Sequence, residues 1–168
     1  MSVEIYEAMA WALLIWIVKT NRNRASMKYG NPILEKKDFV KLKKMFNFHR
    51  HYEDYAHKDV LDRLKERMDT ALVLDEGEMP DDVVRLNTKV TVADREGHKQ
   101  TFFLVGPAER DHRQGNTSVL SSLGASVIGL AHGDSTRIGV PPDFRYVQLI
   151  YVKQAQALMP RTQRGMEL

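Results

Sequence analysis

The period of apolar positions changes three times along this chain. In residues 36–48, Phe39, Leu42, Met45 and Phe46 sit at i, i+3, i+6 and i+7, close to one helical stripe. The opposite face is basic: Lys36, Lys37, Lys41, Lys43 and Lys44 against Asp38. A second helix is predicted from Asp59, a residue type that caps helix N-termini. Its stripe is strict, with Leu61, Leu64, Met68 and Ala71 at 3-4-3 spacing, the seam of a coiled coil. A polar link, residues 47–58, joins the two stripes, which predicts a short antiparallel helical hairpin. Beyond an acidic Gly- and Pro-containing boundary at 75–80 the period falls to two. Strands are predicted at 89–93, 100–105, 117–120, 136–140 and 146–152, with a hairpin turn at Glu96-Gly97. Leu123, Val127 and Leu130 return to helical spacing, and Gly124, Ala125, Ser126 and Gly129 keep that short helix slim enough to lie against a sheet. The fold class is therefore α+β, a helical hairpin followed by an antiparallel-sheet domain with one short helix.

This pattern divides the chain into residues 1–30, 31–74, 75–152 and 153–168. The last segment has no periodicity and reads as a disordered tail. The first is a strongly apolar extension. Its run of about fourteen apolar residues falls short of the about twenty that a spanning helix needs. Glu4 and Glu7 precede the run while Lys19, Arg22 and Arg24 follow it, the reverse of a signal peptide. Three readings stay open: a helix that packs on a partner or a second copy, a membrane-surface anchor, or an upstream extension with Met27 as the true start.

Composition narrows the chemistry. The 168 residues include no cysteine, which excludes disulfides, thiolate metal sites and a cysteine nucleophile. The net charge of +3 is mildly basic, short of the clustered excess expected when DNA is the main partner. Ser118, Ser121 and Ser122 lie in no G-x-S-x-G elbow, and the chain has neither a Walker loop nor G-x-G-x-x-G. No catalytic residue, metal ligand or cofactor is expected, and the chain is read as a non-enzyme.

Three motifs in order carry a resemblance. Residues 117–134, TSVLSSLGASVIGLAHGD, resemble the IS…SPLG.ALLG…GD pattern of the C-terminal domain of the GreA/GreB family of bacterial transcription factors. Residues 104–109, LVGPAE, resemble that family's VG..EAD strand end. Residues 78–90, EMPDDVVRLNTKV, are similar to a signature of Rnk, a shortened relative and regulator of nucleoside diphosphate kinase. Ser122 stands where the family usually has Pro, and Asp143 where a Gly commonly follows the Pro. The resemblance implies an FKBP-like fold for the sheet domain, with Pro80, Val83, Asn87, Gly106, Gly124, Ala125, Gly129, Gly133 and Asp134 as structural motif positions. It further implies a cytoplasmic protein that binds bacterial RNA polymerase at the secondary channel, reaching nucleic acid only indirectly through that complex, with no small-molecule substrate. Peptidyl-prolyl isomerase activity, which the fold invites, does not follow from fold alone.

In the Gre factors acidic residues at the tip of a long helical arm help hold a catalytic magnesium ion. Here Glu53 and Asp54 occupy the tip region, but the family's tip motif is not matched around them. Thirteen residues of helix span about 20 Å, much shorter than a Gre arm. His49, His51 and His57 crowd the same tip beside Arg50 and Lys58, a weak metal signal. Lys41, Lys43, Lys44, Arg50, Tyr52 and Tyr55 are the candidate partner-binding residues, exposed aromatics beside cations being a common anchor type. The chain is thus expected to bind polymerase without supporting transcript cleavage; an active cleavage factor using Glu53 and Asp54 is the alternative.

Overall fold

The computed structural model describes residues 3–22, 27–49, 55–107, 115–140 and 142–155. The element order is α1 (Val3–Arg22), β1 (Ile33–Glu35), α2 (Lys36–His49), α3 (Tyr55–Thr70), β2 (Leu72–Leu74), a 3-10 turn at Glu76–Glu78, β3 (Thr88–Asp94), β4 (Lys99–Val105), β5 (Asn116–Ser118), α4 (Ser122–Val127), β6 (Ser135–Ile138) and β7 (Arg145–Gln154). The α+β class holds.

Alternation along β3 and β4 buries Val90, Val92, Phe102 and Leu104 on one face of a five-stranded sheet. The strand order is β5-β4-β3-β7-β6. The β3–β4 hairpin pairs Thr88 with Leu104 and Ala93 with Lys99, and its turn places Gly97 at φ 87°. The sheet is antiparallel except at one edge, where β5 runs parallel to β4. Ten residues, 106–115, separate β4 from β5 in the sequence. α4 lies on the buried face. Ser121 caps it by accepting a 3.0 Å bond from the Gly124 N–H.

Several boundaries differ from the sequence-based expectation. α3 begins at Tyr55, not Asp59. Asp59 lies inside the helix, 3.0 Å from the Arg63 guanidinium one turn on, so its carboxylate serves an ion pair rather than a cap. α4 stops at Val127; Gly129 at φ 78° turns the chain, and Leu130 is buried beyond the helix. The expected tail does not begin at Lys153, because β7 continues to Gln154. The Gln154 amide donates to the Asp81 and Val83 carbonyls at 3.0 and 2.7 Å and accepts from Arg85 and Thr88 at 3.1 and 2.8 Å. Four hydrogen bonds hold a strand end that no apolar period marks. β1 and β2 were not expected at all; they form a separate parallel pair, Ile33 to Leu72 through Glu35 to Leu74.

The largest correction concerns the hairpin. Leu42 of α2 and Val60 and Leu64 of α3 share one core with Val90, Val92, Phe102, Leu104, Ala125, Val127 and Leu149. The apolar stripes of the two helices therefore face the sheet domain as well as each other, and the acidic segment at 75–80 does not separate two independent units. A smaller cluster of Ile33, Met79, Val83 and Ala131 closes the junction. α1 contrasts with all of this: Ile5, Tyr6, Met9, Trp11, Leu13, Leu14 and Ile15 are each more than half exposed. No helix among the described residues is long and apolar enough to cross a membrane.

Candidate functional site

The lysines of α2 fall into two groups. Lys36 and Lys37 turn toward the acidic 3-10 segment: Lys37 Nζ is 2.6 Å from Glu76 and Lys36 Nζ 3.7 Å from Asp75. The Lys37 bond holds the Glu76 carboxyl below its ordinary range and raises the ammonium's own pKa. Lys41, Lys43 and Lys44 are exposed, and none forms an ion pair among the described residues. Lys43 lies 5.9 Å over the Phe39 ring. Val40 and Phe48, the latter 77% exposed, continue the outer side of the same helix. α2 therefore presents uncommitted positive charge interleaved with apolar surface, a surface suited to a partner carrying negative charge.

The base of α2 is fixed by buried polar contacts. Asp38 is 5% exposed and accepts a 2.9 Å bond from the Leu86 N–H. Burial raises its pKa, against the lowering effect of that hydrogen bond. Glu35 receives Arg85 Nη1 at 3.3 Å, and Arg85 Nε reaches Gln154. Through these three contacts β1 and the base of α2 are held to the Thr88–Gln154 end of the β3–β7 ladder. Met45 of α2 reaches the end of β4, where a side chain at Gly106 would lie 3.4 Å from its Cε.

The motif positions gather beneath this surface. Val83 is fully buried and bridges to Ala131. Asn87 is at φ 65°, a left-handed conformation that asparagine tolerates better than most residues, and its N–H donates to the Leu104 carbonyl at 2.6 Å. Gly124 packs so closely on the β5 turn that a Cβ would lie 2.1 Å from the Ser118 oxygen. Ala125 is buried, Gly129 and Gly133 have φ of 78° and 90°, and Pro80 is half-buried after the 3-10 turn. Asp134, 3% exposed, accepts from the Lys28 and Ala131 N–H groups at 2.6 and 2.8 Å. These residues set backbone geometry.

Arg50, Tyr52, Glu53, Asp54 and His51 lie outside the described residues, as do the side chains of Tyr55 and His49. The structure brings together Lys41, Lys43 and Lys44, and does not address the remaining tip residues. Among the described residues one group of possible metal ligands occurs, Asp94, Glu96 and His98 in the exposed β3–β4 turn. Its hydrogen bonds, including the Asp94 carboxylate to the Glu96 and His98 N–H groups at 2.9 Å each, account for it as a turn. Sequence reasoning missed Asp38, Arg85 and the arginine pair Arg63 and Arg67. The last two stand four residues apart beside the Leu64 and Met68 stripe, which is the signal that could have marked them.

Comparison with known proteins bears on the domain beneath this surface. Residues 79–154 match the family model described as transcription elongation factor GreA/GreB, C-terminal. A transcription elongation factor GreA of Rhodospirillum rubrum is 33% identical over 95 residues, covering 54% of this chain and 60% of that protein. The GreA of Hyphomonas neptunium is 31% identical over 93 residues, covering 55% and 59%. This chain thus spans about six-tenths of the length of these curated relatives. A solved GreA/GreB factor from Nitrosomonas europaea superimposes with a TM-score of 0.60 at 22% identity, over 73% of this chain and 99% of that one, and so shares the fold. Residues 79–154 of this chain are thus similar to the C-terminal domain of the GreA/GreB transcription elongation factors, and here that region packs against a pair of short helices.

Proposed function

We propose that this protein is an RNA polymerase-binding transcription regulator of the Gre type that acts at the secondary channel without supporting transcript cleavage. The observation that carries this reading is the length and footing of the helical pair. α2 has 14 residues and α3 has 16, so each spans about 20–25 Å at 1.5 Å per residue. Both are rooted in the domain core through Leu42, Val60 and Leu64. An arm of that reach supports docking at a channel entrance better than delivery of a carboxylate to a distant metal centre. The exposed Lys41, Lys43 and Lys44 supply the charge that would steer the encounter.

The same reading makes the protein a competitor of cleavage factors, with no chemistry of its own. A cleavage assay on backtracked transcription complexes tests it. The wild type is expected to bind core polymerase, to leave the transcript intact and to reduce cleavage stimulated by an added Gre factor. Stimulated cleavage that vanishes on replacing Glu53 and Asp54 with Gln and Asn would instead establish an active cleavage factor and overturn the proposal.

A further inference from the structure

A cavity of about 200 Å³ lies where α3 crosses α4 and β6, lined by Met27, Arg63, Arg67, Ser126, Thr136 and Arg137, with Glu66 and Thr70 at the same wall. It is separate from the lysine surface of α2. Its lining carries three arginines against one carboxylate.

The arginines differ in how they are satisfied. Arg63 is compensated: Nε faces Asp59 at 3.0 Å, and its two terminal nitrogens donate to Ser126 Oγ at 2.9 Å and to the carbonyls of Arg137 and Gly139. Arg137 lays its guanidinium over the Phe144 ring at 3.9 Å. Arg67 has no close ion pair among the described residues, and Glu66 and Asp134 act on it only at longer range. Its hydrogen bonds to them leave from Nη2 alone, to the Ser126 carbonyl at 2.9 Å and to Thr136 Oγ1 at 3.3 Å, both uncharged oxygens. Burial holds its pKa below the ordinary arginine value. A largely desolvated cation with no carboxylate in direct contact is costly. An anion entering the cavity would supply the direct contact that Glu66 and Asp134 do not. Thr136 accepts from Arg67, so its own hydroxyl proton remains free for a further acceptor.

We propose that this cavity is an oxyanion site that takes a phosphate group, with Arg67 as its anchor and Thr136 as a second donor. The planar guanidinium edge left open by Arg67 presents paired N–H donors of the kind that fit phosphate oxygens. The Thr136 hydroxyl, on β6, lies beside it as a second donor, and a phosphate has more acceptor oxygens than a carboxylate to take both. A volume of 200 Å³ accommodates one such group with a few waters, each taking about 30 Å³. α3 and α4 both contribute walls, so an anion here would tie the helical pair to the sheet domain. The inference does not depend on the polymerase reading.

Calorimetric titration of the full chain at constant ionic strength tests it, with inorganic phosphate, acetate and chloride as separate titrants and a nucleoside monophosphate as a fourth. Phosphate should bind with a heat signal that acetate and chloride do not give. Arg67→Gln should weaken phosphate binding about tenfold or more, the loss of one charge-assisted hydrogen-bond donor. Should that variant fail to fold, Thr70→Glu keeps Arg67 and places a carboxylate at the cavity wall, with the same loss expected. Lys43→Gln with Lys44→Gln should bind phosphate as the wild type does. Tighter binding of the nucleotide than of inorganic phosphate would mark the site as a receptor for an esterified phosphate, and equal binding as one for the free ion. Absence of phosphate binding, equal binding of acetate, or wild-type affinity in both cavity variants would overturn the assignment.

Discussion

Two residues show how little room the fold leaves at its contacts. Gly124 sits where any Cβ would meet backbone, 2.1 Å from the Ser118 oxygen and 2.8 Å from Val119 Cα. No side-chain rearrangement relieves a backbone clash. Gly124→Ala is expected to destabilise by about 1–3 kcal/mol, in the range of overpacked cores, and thermal unfolding of the variant would measure it. Asp38 is a different case, because its carboxylate both serves and strains the structure. It satisfies the Leu86 N–H but is buried, and its pKa is raised above the ordinary 3.8. A carboxyl raised on folding gives stability that is full below the unfolded value and is lost as pH rises through the folded one. Asp38→Asn keeps an acceptor for Leu86 without the charge. Its stability relative to wild type should therefore improve as pH rises from about 4 toward neutrality. Asp38→Ala, which orphans the Leu86 N–H, should lose about 1–3 kcal/mol at neutral pH. Denaturant unfolding across that pH window separates the two, and an Asn variant that tracks the wild type at every pH would refute the assignment.

At the scale of elements the helical pair behaves as part of the domain. Leu64 is fully buried in a core that also holds Val90, Leu104 and Leu149. Leu64→Ala should cost about 2–4 kcal/mol. The loss should appear in one cooperative transition, because the same cavity is shared by α3 and the sheet. Helical circular dichroism and a probe on the sheet should melt together; a helical transition that precedes the sheet's would show that the common core contributes little. The strand end at Gln154 makes the same point, since its side chain closes bonds to Asp81, Val83, Arg85 and Thr88.

Across the whole molecule the positive charge is sorted by what lies near it. Lys36 and Lys37 are matched to Asp75 and Glu76, whereas Lys41, Lys43 and Lys44 are exposed and form no ion pair among the described residues. If the protein docks on polymerase as proposed, Gln at Lys41, Lys43, Lys44 and Arg50 should lower affinity for core polymerase and flatten its dependence on salt. Gln at Lys36 and Lys37 should leave that salt dependence nearly unchanged. A binding titration at two salt concentrations distinguishes these outcomes, and equal effects of both variants would dissociate binding from the unpaired group. α1 stands outside this balance, its apolar side chains from Ile5 to Ile15 exposed along their length.

Periodicity alone determined the helices, the strands of the sheet, their order along the chain and most of the buried set, because burial on one face of a regular element writes its repeat into the residues. The motif glycines were marked by the resemblance to a family pattern, and a turn or a close approach needs glycine whatever lies around it. What it could not reach were contacts between residues far apart in sequence. Asp38 reads as one acid on a basic helix until Leu86 arrives beneath it, and Arg67 as one more surface charge until α4 and β6 enclose it. Gln154 looks like the start of a tail until four distant partners close on it. Whether the apolar stripes of α2 and α3 faced only each other or a shared core was likewise open, because a seam at 3-4-3 spacing is the same for a free coiled coil and for a helix laid on a sheet. Only the tertiary fold decides that, since it alone fixes which apolar surface lies nearest.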